Sequence, residues 1–249
     1  MKKKLLIVGY PRSGNTWLGY LLSYVLGACY QELNAPANSN PTLQKKVLGL
    51  ISGKLKYKSD YGAVVKTHKR YNFQSDSLNL SSFNKVIYIV RDPRDVAVSY
   101  FYFYHYNLPI ACGKPEDALL RKPLFIKKYY WKKMILRVAQ QWPLHVISWQ
   151  SYQGIKLIKY ESLHKNLLLT LKKLCKFLKT SPKKGLLKQA INHFTFKQLS
   201  GGRQAGKEQQ TGFYRKGVVG DYKNYFDCPD TIIMRYYAGQ QMQDLGYED

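Results

Sequence analysis

The chain has 249 residues, enough for one domain with a sizeable core or at most two small ones. Hydrophobic residues make up 45% of it, a share that excludes an intrinsically disordered protein. Lysine and arginine number 40 against 15 acidic residues, and the net charge of +25 predicts attraction to phosphates, sulfates, acidic sugars, nucleic acid or anionic lipid. Charge alone does not choose among these partners.

The cysteines lie far apart and none forms a C-x-x-C pair, so neither a zinc site nor a disulfide scaffold is indicated. The apolar run at residues 5–8 is too short for a signal peptide. No stretch approaches the ~20 apolar residues of a membrane span. We therefore expect a cytoplasmic protein whose positive charge allows peripheral contact with an anionic membrane.

Short apolar runs alternate with helical patterns along most of the chain. β-Branched runs predict strands at residues 5–8, 62–66, 85–90 and 154–160. Helical spacing predicts helices at residues 15–27, about 125–152 and 161–179, and a further helix with Ser181 as N-cap before Pro182. Strands that alternate with helices imply an α/β fold with a mostly parallel central sheet. We find no repeat and no linker, and predict a single domain over residues 1–249.

The first predicted strand leads into a turn that resembles a phosphate-binding loop. Residues Gly9 to Thr16 nearly fit G-x-x-x-x-G-K-[ST], but Asn15 replaces the lysine and a cation, Arg12, lies inside the loop. A strand, a glycine-containing turn and a helix N-terminus direct backbone N–H groups at one anion. We expect that anion to be held by Arg12, Ser13, Gly14, Asn15 and Thr16.

The strand at 85–90 is followed by Arg91 and by the turn "DPRD", which starts a helix. In an open parallel sheet, ligands bind beyond the carboxyl ends of the strands, where Arg91 lies. Arg91 and Ser99, about two turns along that helix, form a candidate second phosphate site. The alternative makes Arg91 the partner of Asp92 or Asp95 and Ser99 a surface hydroxyl.

Two further groups of polar residues add to this pattern. Lys66, Thr67 and His68 fall at the end of the strand at 62–66, where a histidine beside an anion site is a candidate general base. The glycine-rich segment 200–221 has no clear pattern. It contains Arg215, Lys216 and Gly217, which as a lid would clamp a phosphate group.

In this order, these motifs resemble those of sulfotransferases that use 3′-phosphoadenosine-5′-phosphosulfate (PAPS), over nearly the whole chain. The Y-P-K-S-G-T-T-W motif corresponds to residues 10–17, and K-T-H is intact at 66–68. The Arg91-to-Ser99 spacing, Tyr160 in a Y-E-D-L-like segment and Phe196 in a T-S-F-like segment also match. The closing R-K-G-x-x-G-D-W-K-x-x-F motif is matched from Arg215 to Phe226.

The resemblance implies a P-loop NTPase-like sulfotransferase fold and direct in-line sulfuryl transfer to a hydroxyl or amine. It implies that His68 removes the acceptor proton while Arg12 and Lys66 stabilise charge in the transition state. The 5′-phosphate would lie on residues 13–16 and the 3′-phosphate on Arg91, Ser99, Arg215, Lys216 and Gly217. Trp17, Tyr160 and Phe196 would pack around the adenine. The product would be adenosine 3′,5′-bisphosphate (PAP), and no metal is required.

Three departures from the family pattern are present. Arg12 replaces the usual lysine and cannot donate its proton to the leaving group, so its role is electrostatic. Tyr222 replaces tryptophan, which is a packing change. The K-x-x-x-T-V-x-x-x-E dimer motif of many animal cytosolic members is absent, so their dimer is not carried over and the oligomeric state stays open.

The acceptor is not identified by these motifs and could be a small molecule, a lipid or a carbohydrate. Residues 28–61 and 100–125 are expected to line its pocket, and the aromatic run 100–106 must also supply helix core. A P-loop kinase or nucleotide hydrolase is the closest enzymatic alternative, but Asn15 stands where its lysine would be. A basic nucleic-acid-binding protein is the other alternative. No reading helix or base-stacking motif supports it, and we expect no specific nucleic-acid partner.

Overall fold

The computed structural model describes residues 2–33, 59–71 and 78–247. The chain folds into two compact units. The first unit is formed by Met1–Val90 and Ser148–Thr195, and the second by Arg91–Ile147 and Phe196–Asp249. A single domain over the whole chain stays a prediction.

The first unit contains a five-stranded, wholly parallel sheet. Its spatial order is β2-β3-β1-β4-β5, with the strands β1 Lys3–Val8, β2 Cys29–Glu32, β3 Tyr61–Thr67, β4 Lys85–Val90 and β5 Ile155–Lys159. The predicted α/β class and parallel sheet are confirmed. The central strands are buried because parallel sheets are covered on both faces, and the side chains of Leu5 to Val8 are inaccessible to solvent.

Strand β2 was not predicted, because it lies in the segment 28–61 where we found no pattern. It is short and forms an edge of the sheet, and of its side chains only Tyr30 is buried. Such a strand shows no apolar run and only a weak alternation. The residues at 34–58, which we expected to line the acceptor pocket, lie outside the described residues.

The helices of the first unit are α1 Asn15–Leu26, α5 Tyr160–Lys165, α6 Leu167–Phe177 and α7 Lys184–His193. The prediction of one helix over 161–179 was wrong. Asn166 interrupts it with an extended φ of −156° and, as the N-cap of α6, accepts a hydrogen bond from Leu169 N–H. The predicted cap at Ser181 was also wrong, since Lys183 is the N-cap of α7.

The helices of the second unit are α2 Pro93–Tyr102, α3 Leu108–Ala111, α4 Leu124–Gln150, α8 Phe196–Leu199 and α9 Cys228–Asp244, with residues 148–150 of α4 in the first unit. A π-helical turn, Phe103–Asn107, joins α2 to α3. As the "DPRD" pattern predicts, a helix starts here, and Pro93 is its first residue. Asp92 caps α2 by accepting from Arg94 N–H. Every helix in the described ranges is too short or too polar to cross a lipid bilayer.

The packing of α1 on β2 depends on a glycine. A Cβ added at Gly19 would lie 2.5 Å from Cε2 of the buried Tyr30 ring. We therefore expect Gly19→Ala to lower the free energy of unfolding by about 1–3 kcal/mol, although alanine is the better helix former. Denaturant unfolding measures this difference.

Gly239 in α9 is the matched control, because nothing lies within 4 Å of a Cβ added there. Gly239→Ala should raise the free energy of unfolding by about 0.5–1 kcal/mol. Equal stabilisation by both substitutions would show that Gly19 is not held against Tyr30.

Candidate functional site

The turn between β1 and α1 has the backbone of an anion-binding loop. Gly14, the N-cap of α1, has φ 95°, and Arg12 has φ 70° although it carries a side chain. The first N–H groups of a helix have no partner within it, and no side chain caps α1 to supply one. Together with the helix dipole, these N–H groups favour a bound anion at this end of α1.

The loop also offers a buried hydroxyl. The side chain of Ser13 is fully buried, and its Oγ has no hydrogen-bond partner in the described part of the chain. A buried hydroxyl without a partner is costly and indicates a ligand that supplies one. Gly9 and Gly14 leave no room for side chains, since an added Cβ would lie 2.3 Å from the Ile89 carbonyl oxygen and 2.5 Å from the Tyr160 ring.

Lys66 lies at the carboxyl end of β3, beside this loop. Its Nζ donates to Thr16 Oγ1 at 3.1 Å and pairs with Glu32 Oε1 at 2.5 Å. Glu32 is the register partner of Lys66 across the β2–β3 ladder. Burial lowers the pKa of Lys66, the Glu32 carboxylate opposes this, and the Arg12 charge adds a smaller lowering. Lys66 and Arg12 therefore put two positive charges close together beside the loop, an arrangement that suits an anion of more than one charge.

His68 follows β3 and reaches back to the same loop. Its Nδ1 lies 2.8 Å from the Gly9 carbonyl oxygen and 2.9 Å from Asn15 Nδ2. Asn15 Nδ2 also donates to the Gly9 carbonyl oxygen at 2.8 Å. The histidine, the asparagine and the glycine carbonyl thus form one compact hydrogen-bonded group, and we expected Asn15 only as a donor to the anion.

An aromatic cluster flanks the start of α1. The Trp17 and Tyr160 ring centroids are 6.0 Å apart, and His164 contacts both rings at 5.3 and 4.6 Å. Trp17 Nε1 donates to the Phe194 carbonyl oxygen at 2.8 Å, which fixes the indole ring. The structure brings together two of the three predicted adenine-packing residues and adds His164, which the motifs did not indicate.

The second unit holds the other predicted cations. Arg91 Nη2 lies 3.4 Å from Asp95 Oδ2 and donates to the Val218 carbonyl oxygen at 3.2 Å. The buried Asp95 also accepts from the N–H groups of Gly220 and Tyr222 at 2.8 and 3.0 Å. The Arg91–Asp95 pair that we considered as an alternative is therefore present. Ser99, four residues after Asp95, lies on the same face of α2.

The segment with Arg215, Lys216 and Gly217 is held by acidic side chains. Arg215 pairs with Glu208 and Asp221, and Lys216 Nζ lies 2.6 Å from Asp221 Oδ1. These partners raise the pKa of Lys216 and oppose the effect of burial on the pKa of Arg215. The two cations are thus fixed in place, and the loop is built around them.

Gly217 and Phe196 are in contact. Gly217 has φ 68°, and an added Cβ would lie 2.1 Å from the Phe196 ring. Arg203, which the motifs did not indicate, braces the same segment: its guanidinium donates to the carbonyl oxygens of Tyr214, Arg215 and Lys207. Phe196 thus packs on Gly217 while Arg91 donates to the carbonyl oxygen of the next residue, Val218. In the second unit, Phe196, Arg91 and the segment 215–217 therefore meet at the backbone of residues 217–218.

The aromatic run 100–106 divides between core and surface. Phe101, Tyr102 and Tyr106 are buried, whereas Tyr104 is exposed. Part of the run is therefore helix core, as predicted. Among the described residues, no group of three or more histidine, cysteine, aspartate or glutamate side chains is arranged to hold a metal ion.

Comparison with known proteins agrees with this arrangement. The sulfotransferase domain model matches residues 2–246. Mouse sulfotransferase 1B1 is 28% identical over 247 residues, which covers 91% of this chain and 78% of that protein. Human sulfotransferase 1E1 is 27% identical over 261 residues, which covers 96% of this chain and 84% of that protein.

Two solved structures share the fold. Mouse sulfotransferase SULT7A1 complexed with PAP superimposes with a TM-score of 0.67 at 22% identity and covers 99% of this chain and 87% of that one. Retinol dehydratase in a complex with retinol and PAP superimposes with a TM-score of 0.64 at 19% identity, and the match covers 97% of this chain and 81% of that one. The chain belongs to the sulfotransferase domain family, and it is therefore a sulfotransferase.

Proposed function

We propose that the protein transfers the sulfuryl group of PAPS to a hydroxyl or amine of an acceptor, with His68 as the general base. The observation that carries this proposal is the 2.8 Å contact between His68 Nδ1 and the Gly9 carbonyl oxygen, because it fixes a candidate base on the anion loop itself. PAP, the product expected of such a donor, is bound in the two structural neighbours described above.

The anion loop is proposed to hold the 5′-phosphosulfate. Backbone N–H groups of residues 13–16 and the buried Ser13 hydroxyl are suited to the 5′-phosphate. Arg12 and Lys66 supply positive charge for the bridging oxygen and the transferring group. This also accounts for the missing P-loop lysine at Asn15: a phosphosulfate has no γ-phosphate for a lysine to reach.

The second unit is proposed to bind the 3′-phosphate through Arg91, Ser99 and the segment Arg215–Gly217. The contacts of Arg91 with Asp95 and Val218 support this role, because they hold the guanidinium in one orientation. Phe196, packed on Gly217, is proposed to stack on adenine from this unit, and Trp17 and Tyr160 from the first.

In the proposed transfer, the acceptor oxygen or nitrogen forms a bond to sulfur while the bond from sulfur to the bridging oxygen breaks. His68 takes the acceptor proton on Nε2. Arg12 and Lys66 stabilise the negative charge that develops on the leaving phosphate oxygen, and PAP is released. Catalysis then rests on positioning and electrostatic stabilisation, with no proton donated by Arg12.

The two contacts of His68 Nδ1 favour opposite tautomers. A carbonyl oxygen only accepts, so the Gly9 contact requires a proton on Nδ1, whereas Asn15 Nδ2 only donates and requires a lone pair there. We propose that the Gly9 contact prevails, because an unprotonated Nδ1 would set its lone pair against the Gly9 carbonyl oxygen at 2.8 Å, whereas Asn15 Nδ2 keeps that carbonyl as an acceptor in either tautomer. This leaves the lone pair on Nε2, and Gly9 stabilises the imidazolium that forms.

The tautomer can be measured directly. In ¹⁵N-labelled protein above the titration range of His68, its ring should show a protonated Nδ1 and a pyridine-like Nε2. The His68→Ala variant identifies the signals among those of the five histidines. A protonated Nε2 in the resting protein would contradict the assignment of this nitrogen as the base.

The activity itself is tested with labelled PAPS and a panel of phenols, sugars, lipids and polysaccharides, read as the mass gain of a sulfate. His68→Ala should reduce sulfuryl transfer by about 10²–10⁴-fold, the range of a general base. PAP binding, measured by calorimetry, should change little. Loss of PAP binding in this variant would make His68 a structural residue, and no transfer by the parent protein to any compound would oppose the whole proposal.

Arg91→Ala should weaken PAP about 10- to 100-fold, as expected for a charge-assisted hydrogen bond, and its 3′-dephosphorylated analogue far less. Ser99→Ala is the milder companion variant, since it leaves the Arg91–Asp95 pair in place. Ser99→Ala should weaken PAP binding less than Arg91→Ala does, and it too should weaken PAP more than the 3′-dephosphorylated analogue. Equal losses for both nucleotides would place the 3′-phosphate elsewhere.

A further inference from the structure

Large apolar side chains stand exposed where α4 begins. Phe125 is 72% exposed, Leu124 67%, Tyr129 54% and Leu120, in the preceding turn, 45%. Isolated exposed apolar residues are common on proteins, but four within ten residues of chain form a patch. Such a patch marks an interaction surface.

Lysines lie among these side chains. We define the α4 surface as the four apolar residues together with the exposed Lys122, Lys128 and Lys133. The i,i+4 spacing places Lys128 over Leu124 and puts Phe125, Tyr129 and Lys133 in one row. Lys133 Nζ lies 4.6 Å from the centre of the Tyr129 ring, so apolar and cationic groups are in direct contact.

The turn before α4 is fixed to the helix. Lys127 Nζ donates to the Leu120 carbonyl oxygen at 2.9 Å, and Lys127 N–H donates to the Pro123 carbonyl oxygen at 3.1 Å. Leu120 is therefore held beside the first turn of α4. The apolar patch is a built feature of the surface and not the end of a loose segment.

The charge of this surface is positive throughout. The sequence has no aspartate or glutamate between Asp117 and Glu161. Asp227, the N-cap of α9, and Asp230 in its first turn reach α4, but both pair with Lys132, at 2.8 and 2.6 Å. We exclude Lys132 from the surface for that reason. The remaining lysines keep their positive charge beside the exposed aromatic rings.

We propose that the α4 surface docks the protein peripherally on anionic lipid bilayers. Leu124 and Phe125 would insert at the boundary between headgroups and acyl chains, and the three lysines would contact anionic headgroups. A second copy of the chain is disfavoured as the occupant, because two molecules of charge +25 would bring like charges together. A polysaccharide or nucleic acid would use the lysines but leave the apolar side chains without a partner.

The test is sedimentation of the full chain with phosphatidylcholine vesicles containing about 30% phosphatidylserine. The parent should bind these vesicles at least tenfold more tightly than pure phosphatidylcholine, and about 0.5 M salt should weaken binding at least tenfold. Leu124→Ser/Phe125→Ser should lower the partition coefficient at least tenfold. Lys122→Glu/Lys128→Glu/Lys133→Glu should lower the same partition coefficient at least thirtyfold.

Matched variants control for the loss of exposed apolar side chains in general and for the change in net charge. Ile232 and Tyr236 of α9 are 60% and 80% exposed, and Ile232→Ser/Tyr236→Ser should leave binding unchanged. Lys172→Glu/Lys173→Glu/Lys176→Glu on α6 removes the same net charge and should weaken binding less than threefold. PAP binding should be retained by every variant.

Three results would overturn the proposal. The first is that the α4 variants bind vesicles as well as the parent, and the second is that the control variants lose as much binding as the α4 variants. The third is that ultracentrifugation shows a dimer of the parent that Leu124→Ser/Phe125→Ser dissociates, since a second copy would then occupy the patch. Lys122, Leu124 and Phe125 lie in the segment 100–125 that is expected to line the acceptor pocket. The outcomes are still independent of the sulfuryl-transfer proposal, because vesicle sedimentation and ultracentrifugation require neither an acceptor nor sulfuryl transfer.

Discussion

The carbonyl group of Gly9 is the point on which the candidate site depends. Gly9 is the first residue after β1, and a side chain there would collide with the Ile89 carbonyl oxygen and with Asn15. The same carbonyl receives Asn15 Nδ2 at 2.8 Å and lies 2.8 Å from His68 Nδ1. One backbone group thus joins the end of β1, the start of α1 and the residue after β3. The strand register, which pairs Val8 with Thr67, places these three segments at one edge of the sheet.

The distribution of acidic residues gives the site a second constraint. The chain has only 15 acidic side chains against 40 lysines and arginines. Several of them pair with the cations of the proposed nucleotide site: Glu32 with Lys66, Asp95 with Arg91, and Asp221 with Arg215 and Lys216. Long cationic side chains lose considerable entropy when they bind an anion. Acidic partners that orient them beforehand reduce that loss, at the expense of part of the positive charge.

How far the sequence predicts this molecule depends on the range of the interactions involved. The parallel sheet and the start of a helix at "DPRD" arise from local patterns, and the structure confirms them. The phosphate-binding role of the loop before α1 also rests on a local pattern, and it stays a prediction. The contacts around the key cations do not arise from such patterns. Glu32 meets Lys66 across a strand pair, and Arg203 donates to carbonyl groups 4 to 12 residues further along a segment without a clear pattern. Glu32 lies on an edge strand too short to produce a pattern. Asp95 is the intermediate case, because i,i+4 spacing from Arg91 allowed the pair to be considered.

Asn15 shows why a motif defines a residue's position better than its role. In the loop pattern this position belongs to a lysine that reaches a phosphate chain, and in the sulfotransferase pattern to a threonine. Here the side chain turns away from both uses and makes its contacts with Gly9 and His68. Its side chain is buried, so its hydrogen bond to the Gly9 carbonyl forms in a low-dielectric setting where hydrogen bonds are stronger and orientation is better defined. An asparagine at the position of the phosphate-reaching lysine therefore ties the start of α1 to the Gly9 carbonyl, the same group that contacts the candidate base.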